Sequence, residues 1–401
     1  MRFLGVVFLK VLKLSSRNGK LIIKFVKLFF LLFKVPGWNF GRVCPFKKTA
    51  AKLQGLWNAQ NMRTVTANQI KEAVGKKLKT PGVTRWNSYY DACVMILEVL
   101  EDPNRREKLN VVMHRQKMQT TFFDADKALL TQYCKIMKPV ATCLDNLQGE
   151  EKAYMGVLLP TLKLLKDSLE ALKADNSIVE GQELIKYLLE HPTKKDRAFK
   201  GRFQPLFENE ALLMATALHP HFKLRVVRFL NMEKKEGIKQ AILSEAVQKV
   251  TPTEVKRGGD TRQDMEDDPF MYMSDDEDVV TQCPLVEEMK KTFNDWNLIR
   301  GNRSISVAPD QFPMLNRAAW IDLFIKYNTP LPSSAAVERL FSMGSDILRA
   351  KRSSLTADNF EKLLFIRGNL QLLDEKSISA KLDMGDEDDE DEDYEDEDED
   401  E

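Results

Sequence analysis

The chain reads as mainly α-helical, and three observations predict it. Apolar residues recur at spacings of three and four along most of residues 86–370, as an amphipathic helix requires. Strand-like alternation is scarce. Helix starts and stops fall where the periodic runs begin and end: Asp124 before a long run, Thr356 before a shorter one, Gly368 after it.

Composition sets the outer bounds. The 401 residues are enough for two or three domains, and 43% hydrophobic content supplies a core. The formal charge of zero conceals a division. Asp386 to Glu401 is acidic at every position except Tyr394, so the body before it carries 15 more basic than acidic residues. That tail is either a solubilising extension or a ligand for basic proteins. Cys44, Cys93, Cys134, Cys143 and Cys283 are odd in number and lack a Cys-x-x-Cys pair. Neither a disulfide framework nor a zinc site is indicated, and a reducing compartment fits.

Along the chain, residues 1–80 read as a basic, poorly specified leader. Residues 1–52 contain no acid, and Lys10, Lys13, Lys20, Lys24, Lys27 and Lys34 interrupt the apolar run. The longest uninterrupted apolar stretch, Leu28–Phe33, is too short to span a membrane. A short signal-like opening, a basic amphipathic surface helix and a leader without defined structure all remain open for this segment. Residues 81–250 read as a helical domain: Trp86, Tyr90, Cys93, Leu97 and Leu100 form one stripe. Leu129 to Leu147 form a second, kinked or divided at Pro139, and Tyr154 to Leu172 a third. His219 and His221 are two apart in Ala217-Leu-His-Pro-His-Phe-Lys223, but a metal needs a third ligand that the neighbourhood does not signal. Residues 251–284 read as an acidic flexible linker, with Ser274 ahead of four acids as an acidophilic kinase-type site. Residues 285–375 return to folded material, with residues 305–370 expected to form one compact helical unit. Residues 376–401 form the acidic disordered tail.

Near the C-terminus Val337, Leu340, Phe341, Ile347 and Leu348 make one stripe, and Phe360, Leu363 and Leu364 the next, widened by Phe365 and Ile366. The blocks Ser334-Ala-Ala-Val-Glu-Arg-Leu-Phe-Ser342, Lys351-Arg-Ser-Ser-Leu355 and Leu363-Leu-Phe-Ile366, with Thr84-Arg-Trp-Asn-Ser88 upstream, resemble hAT-superfamily transposases. The resemblance implies a helical insertion domain followed by the last helices of a truncated RNase H-like fold. It also implies a dimerisation surface at Leu340, Phe341, Ile347, Leu348, Phe360, Leu363, Leu364 and Phe365. By the same resemblance, Arg85 and Trp86 are DNA-binding residues near a flipped base, chemistry that suits guanidinium and indole. Glu338 occupies the position of the third catalytic carboxylate.

That carboxylate stands alone. The metal-dependent reaction of the resembled enzymes needs two earlier Asp residues, and the first acid of any kind here is Glu72. Glu338 is therefore read as vestigial, with no cofactor and no metal. The expected function is non-catalytic association, as a homodimer or with a related hAT-derived protein, with weak nucleic-acid binding and nuclear residence. The alternative is a fragment of an active transposase whose missing carboxylates, and divalent metals, belong to an upstream part.

Overall fold

The computed structural model describes residues 46–82, 87–118, 121–149, 154–190, 198–250, 284–301, 307–333, 335–348 and 355–370. Among them there are helices and turns and no strand, so the mainly α expectation stands. The sequence-predicted linker and acidic tail lie outside the described residues, as does Ser274.

The chain divides into two compact units at residues 333 and 334. The first contains two apolar clusters that share one long helix. Helices α1 (Lys47–Met62), α2 (Thr64–Val74), α3 (Ser88–Glu101) and α4 (Pro103–Arg115) build the first cluster with the N-terminal half of α5 (Asp124–Gln148). Leu53, Leu56, Trp57, Ile70, Ile96, Leu100 and Leu109 are at most 2% exposed there. The C-terminal half of α5 passes to the second cluster: Leu130, Tyr133 and Ile136 belong to the first, Val140, Cys143, Leu144 and Leu147 to the second. Pro139 sits between the two sets, and the helix runs through it as one element. The proline removes one backbone donor without ending a helix that is packed on both sides of it.

The second cluster is completed by α6 (Leu158–Lys173), while the buried Leu184 and Ile185 of the next helix, α7 (Gln182–Leu189), join the first; α8 (Phe199–Arg202), α9 (Glu210–Leu218), α10 (Lys223–Leu230), α11 (Lys235–Val250), α12 (Pro284–Leu298) and α13 (Arg317–Asn328) all belong to the second. Trp320 is stacked on Phe293 with ring centres 5.1 Å apart, and its Nε1 donates to the Leu315 carbonyl at 2.9 Å. Asn328 locks the middle: its Oδ1 accepts from Gly156 N–H at 2.7 Å and its Nδ2 donates to the Ala215 carbonyl at 3.1 Å. Gly156 is required there, because a Cβ would stand 2.5 Å from the Ala215 oxygen.

Two sequence expectations are corrected by this arrangement. The leader drawn through residue 80 contains α1 and α2, both packed into the core. And residues 284–333 share a cluster with α6, α9 and α11, so the stretch from 305 to 370 is not one unit. The aromatic residues of α12 and α13 stack on one another and, through Phe324, reach Tyr154 and His219 upstream.

The second unit contains α14 (Ala335–Ile347) and α15 (Ala357–Gly368), packed on each other as a hairpin. Thr356 caps α15 by accepting from Asn359 N–H, and the helix stops at Gly368, both as the sequence predicts.

Candidate interaction surface

α14 and α15 are short, at 13 and 12 residues, so each has few side chains to spend on the other. Gly344 of α14 is where they meet closely. A Cβ at that position would lie 3.2 Å from Phe360 Cζ and 3.9 Å from Leu364 Cδ1, and Leu340 Cδ1 approaches Gly368 at the other end. Phe360, Leu364 and Gly368, four residues apart, therefore form the face of α15 turned to α14.

A different face of α15 stays open. Leu363, Ile366 and Leu370 follow at spacings of three and four and are 40%, 46% and 53% exposed. Phe365 is 60% exposed, and Leu348, at the end of α14, is 54% exposed. The Arg367–Asp346 pair beside them, 4.0 Å apart and half exposed, contributes little.

The eight residues expected at a dimer surface thus part company. Leu340, Phe360 and Leu364 pack between the helices, Ile347 is buried, and Leu348, Leu363 and Phe365 face outward. The side chains of Phe341 and Glu338 lie outside the described residues. Ile366, which the sequence places only as widening the stripe, and Leu370, which it does not single out, extend the outward face. Their signal was present in the spacing from Leu363, masked by the continuous apolar run Leu363–Ile366.

Arg85 and Trp86 also lie outside the described residues, but the rest of their motif is anchored. Ser88 Oγ donates to the Gly82 carbonyl and accepts from Gly82 N–H, each at 3.0 Å. Asn87 Nδ2 donates to the Ala141 carbonyl at 3.1 Å and to Asp145 Oδ1 at 2.6 Å on α5. Burial raises the Asp145 carboxyl, the Asn87 hydrogen bond opposes that, and nearby Asp91 adds to it. The Asn and Ser of the motif, both directly after the pair, therefore act as structural staples, Ser88 tying back to Gly82 before it.

The His219–His221 segment is a packing feature. His219 is fully buried among Tyr154, Phe222 and Phe324, and its Nδ1 accepts from His221 N–H at 3.2 Å. Burial, with His221 beside it, depresses its pKa to about 3. Among the described residues no three His, Cys, Asp or Glu side chains gather as metal ligands would. Nearby Lys223 is buried with φ of 57° and donates through Nζ to the carbonyls of Trp296 and Ile299, capping the end of α12. Burial pulls it down to about 8, while those carbonyls and the Trp296 ring, 4.5 Å away, favour the ammonium.

No helix among the described residues is long and apolar enough to cross a membrane. No protein-family model matches the chain, and no curated protein matches it.

Proposed function

We propose that the chain is a transposase-derived association protein, joining a second copy of itself, or a related hAT-derived chain, through the α14–α15 hairpin. The observation that carries this reading is the outward stripe Leu363, Ile366 and Leu370, with Leu348 and Phe365 beside it. Its spacing is that of a helix-on-helix seam. Two helices of this length bury too little surface to be stable as a pair alone, and oligomerisation is a common remedy. Each Leu, Ile or Phe that a partner covers completely contributes about 1.5–3 kcal/mol.

The ordered blocks from Ser334 to Ile366, and the Thr-Arg-Trp-Asn-Ser motif, support descent from an hAT transposase. In that reading the hairpin is the end of a truncated RNase H-like fold and the protein acts in the nucleus. No chemistry is assigned: Glu338 has no identified carboxylate partners upstream of it, so it remains a relic. Co-expression of two differently tagged full-length copies tests the association. Recovery of both tags on one affinity resin is expected, and its loss in Leu363→Glu/Ile366→Glu is expected with it; recovery of one tag alone contradicts the reading.

A further inference from the structure

The basic excess of the body is not spread over it. Residues 46–82 hold eight Lys or Arg, at 47, 48, 52, 63, 71, 76, 77 and 79, against Glu72 alone. The described residues from 87 to 333 hold 26 basic and 24 acidic side chains, essentially in balance. Among the described residues two of the eight cations are paired, and both pair outside the segment: Lys52 with Asp126 and Lys76 with Glu98. Lys47, Lys48, Arg63, Lys71, Lys77 and Lys79 are exposed and have no ion pair among the described residues.

This distribution costs stability. Lys47 and Lys48 stand in the first turn of α1, where the helix dipole disfavours positive charge and where no acid compensates. Cations clustered without acids repel one another. An external polyanion would relieve both penalties. We infer that the exposed cations of α1, α2 and the segment running to Gly82 form a docking surface for the phosphate backbone of a nucleic acid.

A phosphate chain fits better than a lipid surface. The apolar sides of α1 and α2 are already spent in the core, through Leu53, Leu56, Trp57, Ile70 and Val74. The large apolar residues left exposed on them, Met62 and Val65, are confined to the turn between the helices. Insertion into a bilayer needs a continuous apolar face, which is absent there among the described residues. Charge without apolar surface suits a ligand held by phosphates alone, with binding independent of base sequence and sensitive to salt. The surface shares no residue with the hairpin stripe and belongs to the other unit of the chain, so this inference stands or falls separately from self-association.

The test is fluorescence anisotropy with the full chain, a labelled mixed-sequence DNA duplex and phosphatidylserine-containing vesicles as the competing anion. Lys71→Glu/Lys77→Glu/Lys79→Glu removes three unpaired cations, and Arg225→Glu/Arg228→Glu/Lys291→Glu makes the same charge change on exposed positions elsewhere; circular dichroism confirms that both fold. The first triple variant is expected to weaken duplex binding about tenfold or more at about 50 mM salt and to flatten the log–log salt dependence by about 2 to 3. The second is expected to change it by less than about threefold. Equal losses in both variants, no binding by the unaltered chain at low salt, or capture by vesicles in preference to duplex would each overturn the inference.

Discussion

The two units solve the same problem in opposite ways. In the first, the long helices turn their apolar sides inward, and several buried polar side chains are matched across the chain. Asp126, for example, accepts from Thr49 Oγ1 at 2.6 Å, Lys52 Nζ at 2.6 Å and Phe123 N–H at 2.9 Å. In the second, two short helices meet along one narrow strip centred on Gly344 and leave an apolar stripe in water. A closed core draws its stability from one chain; an open stripe draws it from a partner, and so depends on concentration.

Substitutions sort along that line. The largest effect belongs to the closed core: Trp320→Ala loses the Phe293 stack and is expected to cost about 3–5 kcal/mol in urea unfolding, at any protein concentration. A midpoint shift that grows on dilution would blur the distinction between the units. Asp126→Ala comes next. Burial raises this carboxyl, but hydrogen bonds from Lys52, Thr49 and Phe123 outweigh burial and hold it below the usual range. Removing it strands Lys52, whose side chain is 11% exposed, and is expected to cost about 3 kcal/mol. If Lys52→Met/Asp126→Leu proves as damaging as Asp126→Ala, stranding of the lysine is not the cause.

A pH titration sharpens the comparison further. His219 is held neutral by burial, with its pKa depressed to about 3 against 6.5 for the free side chain. Between those values the unfolded chain binds a proton that the folded chain refuses. Stability therefore rises with pH across that window and is lost as pH falls from 6.5, by up to about 1.4 kcal/mol per unit from this group. His219→Asn should remove that part of the slope in chemical denaturation; an unchanged slope would place its origin elsewhere. Smallest of all is Leu363→Ala on the first unit, expected to change its unfolding by less than about 0.5 kcal/mol because the residue is exposed.

Much of the fold was legible because helix periodicity and capping are local. Thr356 caps α15 and Gly368 ends it, each at the expected position, whereas α5 takes Phe123 as its cap and Asp124, the expected cap, as its first residue. The helices α1 and α2 were not legible, for a physical reason. Two of the residues α1 buries are polar, Thr49 and Gln60, and their partners are distant in sequence. Thr49 meets Asp126, while Gln60 pairs with both backbone groups of Leu78. A binary apolar pattern counts such positions as surface. The hairpin failed differently: its stripes touch in the run Leu363–Ile366, and only the position of α14 separates the inward face from the outward one.

The most direct test is multi-angle light scattering of the full chain at micromolar concentration, beside Leu363→Glu/Ile366→Glu. The account predicts twice the chain mass for the first and a single chain mass for the second, with circular dichroism and urea unfolding of the first unit unchanged. A monomer in both samples, or a dimer that survives the double substitution, would contradict it.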